Sequence, residues 1–284
     1  MDANTWQPAS AGPPAMGWMT GSGNISYLIG TAPTTANWFF NTKNSYCTGI
    51  SLTASPTPGT YATTPMLNLS SYTAPASGTA SGVPGLAALL TNGSTSTLPY
   101  IQYSYKWITY DNEQQASTPV VEQDDPPLYM QEFVSACHSN VPRYSVCLAP
   151  GYDLYGPAKT MYPLNPGELE WQWFVRVIVA MGGVGCDLFL LQNESQQNTA
   201  IFEELWVATA ATLATLSPST VVFADVSSQN ATGSTNQLLG ANMAVNAQTL
   251  TSPWPGGFYV AMPGTQQSAG LYFFEDMQAA GYSA

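Results

Sequence analysis

Three acids carry the sharpest chemical suggestion in this sequence: Asp111, Glu113 and Glu194. The first two close an aromatic, β-prone run from Tyr100 to Tyr110, and the third follows the apolar run Cys186 to Gln192. Side chains alternate along a strand, so Trp107, Thr109, Asp111 and Glu113 share one face, as do Leu190, Gln192 and Glu194. If both faces look into one cleft, two carboxylates meet among tyrosines and tryptophans. That is the minimum for general acid–base or nucleophilic work, as in hydrolysis of a glycosidic bond. One acid must keep its proton near neutral pH, and desolvation against an aromatic wall achieves this. The expected catalytic residues are therefore Glu194 with Asp111 or Glu113. Asn112, Gln192, Asp153 and Asp225 are expected to bind substrate, with Tyr152 and Trp254 as aromatic platforms. Such a lining suits a neutral polar small molecule or a glycan. The competing reading of each acid is a helix cap or an acceptor for loop amides.

Most other chemistries are excluded by composition. The 284 residues hold five Lys+Arg, one histidine and 17 Asp+Glu, for a net charge of −12. Residues 1–100 carry only Asp2 and Lys43. Nucleic acid and anionic membrane surfaces need clustered cations, so neither is an expected partner. His138 sits in the last turn of an expected helix, at the end away from a catalytic mouth. A Ser-His-Asp, Cys-His or multi-histidine zinc site is thus not available to one chain. Cys47, Cys137, Cys147 and Cys186 show no CxxC spacing and read as buried thiols, although Cys137 and Cys147 could lie close together. No glycine loop has a nucleotide-binding arrangement, and neither a cofactor nor a metal is expected. Asp124 or Asp125 is expected to cap a helix, whereas Glu122 has the freedom to reach the mouth. No signal peptide opens the chain, and no run approaches a spanning helix, so membrane insertion is not expected. The charge-poor, Ser/Thr/Asn-rich composition and five Asn-x-Ser/Thr sequons, at Asn24, Asn68, Asn92, Asn193 and Asn230, suit a secreted, surface or particle-associated protein. Oligomeric state is not legible.

The acids must be positioned by alternating strands and helices. After Tyr100–Tyr110, strands are expected at 143–150, 186–192, 220–226 and 257–262. Helices are expected at 124–140, from an Asn165 cap to Gly182, at 198–216, at 235–247 and at 275–280. Near-continuous apolar strands separated by helices predict a parallel α/β sheet with right-handed crossovers. Because each strand ends in polar residues, the expected fold is a (β/α) barrel, complete or degenerate, whose site lies at the carboxyl ends of the strands. The expected barrel spans 99–284. Residues 1–98 are expected to be a loop- and β-rich, Ser/Thr/Pro/Gly-rich segment packed on it as part of the same domain. Its apolar islands are 25–29, 38–40 and 85–90.

Several short motifs carry a resemblance: Thr118-Pro119, Glu122-Gln123-x-Asp125-Pro126, Pro150-x-x-Asp153-Leu154, Cys186-Asp187-x-Phe189-x-x-Gln192 and Gly257-Phe258-x-x-x-Met262-Pro263. Over residues 100–263 the chain resembles a set of uncharacterised bacterial TIM-barrel-like, glycoside-hydrolase-like proteins. The resemblance implies the barrel and assigns no catalytic residue. The functional expectation is a two-carboxylate carbohydrate-active hydrolase. The alternative is a non-catalytic structural, surface or ligand-binding protein on a degenerate barrel, favoured by the uncharged first hundred residues.

Overall fold

A computed structural model describes the backbone of residues 17–21, 37–43, 62–73, 107–140, 143–250, 253, 255–262 and 264–282. Side chains are described from residue 69 onward within those ranges, apart from Trp107 and Gly264. Eight strands occur in it: β1 (Gly17–Gly21), β2 (Asn37–Lys43), β3 (Ala62–Leu69), β4 (Trp107–Tyr110), β5 (Ser145–Leu148), β6 (Leu188–Leu191), β7 (Val221–Ser227) and β8 (Gly257–Ala261). Every neighbouring pair is parallel, and β8 returns to β1 to close the ring.

This corrects the expected division between a barrel in 99–284 and a segment packed on it. Residues from 99 onward supply only five short strands, β4 to β8, which do not make an eight-stranded barrel. Left alone, that sheet would expose the hydrogen-bonding edges of β4 and β8. The expected segment instead enters the sheet: β3 pairs with β4 and β1 pairs with β8. Its strands escape a reading based on punctuation because β3 contains Pro65, and proline is normally kept to edges. Here Pro65 registers with Phe40 on one side, while pairing to β4 begins only at Met66. The missing N–H therefore falls before the second neighbour arrives. Island 38–40 lies in β2, whereas 25–29 and 85–90 lie outside the described residues.

Alternation along the strands sorts side chains into two layers. Cys147, Ala149, Leu188, Leu190 and Phe223 pack together inside the ring, with Val221 and Tyr259 against them. The other face of the same strands, including Ile108, Tyr110, Val146, Leu148, Phe189, Leu191, Ala224, Val226, Phe258 and Val260, packs under the helices. Helix α1 is Val120–Asp124 and α2 is Pro126–Ser139, separated by Asp125, whose carboxylate accepts the Leu128 N–H at 3.4 Å and so caps α2. On α2 the buried stripe of Met130, Phe133, Val134 and Cys137 meets β4, with the Phe133 ring stacked on Tyr110 at 4.8 Å.

After the short α3 (Tyr155–Ala158), α4 (Glu170–Phe174) continues as a π-helix, Val175–Gly182. It starts later than the expected Asn165 cap. Gly167 takes φ +80, which an α-helix does not accommodate, so Asn165 to Glu168 close a turn of their own. The Gln172 side chain then accepts the Leu169 N–H at 2.9 Å to open α4. Helix α5 is Ala200–Leu216, and α6 is Asn236–Thr249, capped by Thr235. Helix α7 (Ala269–Ala279) begins at Ala269 rather than at Glu275. Among the described residues no helix is long and apolar enough to cross a membrane.

The amino ends of the strands hold an ion cluster. Asp187, just before β6, accepts from Arg143 at 2.8 Å, from the Val146 N–H at 2.8 Å and pairs with His138 at 2.9 Å. His138 is therefore occupied at the end of the barrel opposite to the strand-end acids. Cys137, Cys147 and Cys186 are buried thiols, while Cys47 lies outside the described residues.

Candidate functional site

The carboxyl ends of β4 to β8 bring one row of residues together. Leu191 registers with Ala224, which puts Gln192 level with Asp225, and Asp225 registers with Tyr259. On the other side Gly151 bridges to Gln192. A Cβ built on Gly151 would come within 3.0 Å of the Glu113 side chain and 2.6 Å of Asp153 Oδ1. Glycine at this position leaves room for the Glu113 stem and the Asp153 carboxylate beside the chain leaving β5.

Beneath this row Asp111 is 5% exposed. Gln192 Nε2 donates to Asp111 Oδ1 and to the Ala149 carbonyl, both at 2.8 Å, so one amide ties β4, β5 and β6 at the mouth. Asp153 is exposed and accepts the Gln114 N–H at 3.1 Å, pinning the loop after β4.

Glu194 reaches the row by a different route from the one alternation predicts. Strand β6 ends at Leu191, and Glu194 opens a 3-10 turn, Glu194–Gln196. Asn193 seats that turn. Fully buried, it accepts the Asp225 N–H at 3.3 Å through Oδ1 and donates to the Phe202 carbonyl at 3.4 Å. Gln197 adds a second tie, with its amide on the N–H and carbonyl of Ser227. The turn is thus fastened to β7, which brings Glu194 beside Asp225, and each carboxyl shifts the titration of the other.

Asp225 is 4% exposed and its Oδ1 has no donor among the described residues; Glu194 Oε2 is in the same position. Burial pushes the Asp225 carboxyl well above its ordinary range, and Glu194, Glu113 and Asp111 push it further. Glu194 is also raised, chiefly by burial. Its own backbone N–H and the contact with Asp225 offset part of this, while Asp111 and Asp153 add to it. Tyr259 is kept a neutral phenol by burial first and then by the charges of Asp225, Asp111, Glu194 and Glu113.

Two of the expected site residues are not brought to this row. Asn112 is fully buried on the helix side of β4, where its Nδ2 donates to the Glu122 carbonyl at 2.9 Å and to Tyr110 Oη at 3.2 Å. Tyr152 packs its ring against Phe174 at 5.5 Å, under the helical layer, and burial pushes its phenol up to about 12. Trp254 lies outside the described residues. Glu122 does not reach the mouth either. It is fully buried, and its carboxylate accepts from Tyr72 N–H, Thr73 N–H, Ser71 Oγ, Thr73 Oγ1 and Tyr110 Oη.

Sequence reasoning misses the partnership of Glu194 with Asp225, and the roles of Gly151 and Asn193. The inward period of β7 puts Phe223 and Asp225 on one face, and that signal could have placed Asp225 against its neighbours. Nothing in the sequence marks a 3-10 turn at Glu194. Among the described residues no group of three or more His, Cys, Asp or Glu is placed to hold a metal ion. The chain matches no family model and no curated protein, so the site is read from its own geometry.

Proposed function

We propose that the protein is a carbohydrate-active hydrolase that cleaves a glycosidic bond at the carboxyl ends of its strands. The observation that carries this reading is the half-buried Glu194, its Oε2 closed off from solvent beside Asp225 and its carboxyl raised in pKa, with the Asp111 and Glu113 carboxylates acting on the same pair. Glu194 is the general acid: its proton passes to the glycosidic oxygen as the bond to the anomeric carbon breaks. Glu113, half-buried and nearer the rim than Asp111, is the second carboxylate. It either attacks the anomeric carbon or takes a proton from the water that does. Asp111, held by Gln192, adds negative charge that favours a developing oxocarbenium ion. Among the described cations, Arg143 is paired with Asp187 and Arg176 with Glu168, which leaves the exposed Lys159. With no cation among the described residues of the row, a neutral glycan suits it better than a phosphorylated or carboxylated one.

Glu194→Gln keeps the shape of the side chain and removes the titrating proton. Assayed on a panel of aryl glycosides and oligosaccharides, it is expected to lose turnover by about 10²–10⁴-fold, the usual contribution of general acid catalysis. Circular dichroism and ligand binding should be retained. Wild-type protein that binds glycans but cleaves none of them would favour the non-catalytic binding reading of the same mouth.

Gly151→Ala tests the positioning of the second carboxylate. The added methyl group must displace Asp153 and Glu113, both on side chains that can move, so folding should survive. The Glu113 stem has to give by only a few tenths of an ångström, so the expected loss in kcat is smaller than the roughly 10²-fold of a misplacement of about 1 Å. An unchanged kcat would remove Glu113 from the mechanism.

A further inference from the structure

Asp225 was expected to bind substrate, yet it is nearly closed off from solvent and faces another acid. Two neighbouring carboxyl groups, both ionised, would place like charges together in an apolar setting, with the Glu194 backbone N–H offsetting only part of the cost. Such a pair is stable when one proton lies between the two groups, as an O–H of one acid donated to the other. The surroundings make the same demand. From the chain leaving β4 come Asp111 and Glu113, from the loop after β5 comes Asp153, and from β8 comes the neutral phenol of Tyr259. Inside the ring β7 adds Phe223 and β6 adds Leu190, which solvate no charge. No described cation lies in this row. Glu194 Oε2 and Asp225 Oδ1 are both buried without a donor among the described residues, and a proton held by the pair supplies a donor where none is otherwise found.

We propose that Asp225 is a positioning residue that holds one proton in common with Glu194 at neutral pH. Rested on the glycosidase reading, that proton is the one Glu194 delivers. It moves from the Asp225 oxygen to Glu194 as the substrate docks, then to the leaving glycosidic oxygen as the C–O bond breaks. The pair is left with two negative charges and recovers a proton from solvent, which balances the one the second carboxylate took from the attacking water. Without the neighbouring negative charge the last proton of the pair would leave at lower pH, and less of the acid form would remain at pH 7.

The proton can be observed without any substrate. Infrared spectra at pH 7 should show a protonated-carboxyl C=O band in the wild type and in an Asp153→Asn control, and none in Asp225→Asn, whose amide donates to an ionised Glu194. Loss of the Asp225 carboxyl should also change the response of stability to pH. A carboxyl raised in the folded state stabilises fully below its unfolded pKa, and that contribution is lost as pH rises through its folded pKa. Wild-type protein should therefore lose more stability than Asp225→Asn between about pH 4 and pH 8. Where a glycoside is turned over, the alkaline limb of kcat/KM should move to lower pH in Asp225→Asn. A wild-type spectrum with no protonated carboxyl at pH 7 would overturn the proposal, even if the variant does not fold. A band that persists unchanged in Asp225→Asn overturns it equally. A band that behaves as expected in a protein that cleaves no glycoside would keep the proton pair and remove the glycosidase reading.

Discussion

Replacing Glu122 by alanine should lower the free energy of unfolding by about 4 kcal/mol, because several buried donors lose their acceptor at once and each costs about 1–3 kcal/mol. The donors are two backbone N–H groups, at Tyr72 and Thr73, and the hydroxyls of Ser71, Thr73 and Tyr110. They belong to the chain leaving β3 and to β4, whereas Glu122 lies on α1. The carboxylate thus fastens the exit of the N-terminal strands to the rest of the barrel. Partial rescue by water in the vacated space keeps the expected value below the sum of the separate costs. Glu122→Gln should cost less, about 2 kcal/mol, since its carbonyl oxygen still accepts while its NH₂ faces donors. Guanidinium denaturation measures both. Exposed Glu132→Ala, a change of the same type on the adjacent helix, should stay within about 0.5 kcal/mol. A Glu122→Ala protein less than 1 kcal/mol below wild type would show that the carboxylate does not hold the two parts together.

The second large effect is expected at Gly240, in the middle of α6. A Cβ there would overlap the Ala269 carbonyl oxygen, and would lie 2.7 Å from Tyr272 Cβ and 2.8 Å from the Phe273 nitrogen. Two of these are backbone atoms of α7, which cannot move aside singly. Intrinsic propensity argues the other way, since alanine is better than glycine inside a helix by about 1 kcal/mol. Overpacking typically costs about 1–3 kcal/mol, and rigid backbone on the opposing side places this case at the upper end. The net expectation for Gly240→Ala is a loss of about 2 kcal/mol, or about 4–8 °C in Tm. Calorimetry checks the sign directly: an unchanged or raised Tm would mean that α6 and α7 separate at little cost. Because Phe273 packs on Phe258 of β8, that separation would also loosen the strand carrying Tyr259.

Much of the C-terminal two thirds was legible because its signals are local. Asp125 with two prolines behind it stops one helix and caps the next, and Thr235 caps α6 by the same chemistry. The apolar runs of β6 and β7 follow from burial on both faces. The first hundred residues were less legible for a related reason. Strands flanked by partners on both sides need no charged face, and Ser, Thr, Ala and Gly at their ends look like loop. Pro65 reads as a break, although its missing donor falls where β3 has only one neighbour. Membership of β1 to β3 in the ring depends on pairing between residues far apart in sequence, which no window of local residues contains.

The candidate site divides along the same line. Alternation with a period of two placed Asp111 and Gln192 inside the ring, and the two are joined by a hydrogen bond. The same period put Asn112 on the opposite face, a consequence the sequence already contained. Residue order by itself determined which acids stand at strand ends, that one histidine and five cations leave little else for chemistry, and that the ends of parallel strands collect on one side. Only the tertiary structure decided that Glu194 meets Asp225 and that Glu122 is consumed in holding a loop. The physical reason is that a carboxyl group's role is set by what desolvates it and what donates to it. Those neighbours arrive from other strands, a 3-10 turn and a buried asparagine, through contacts that exist only once the ring has closed.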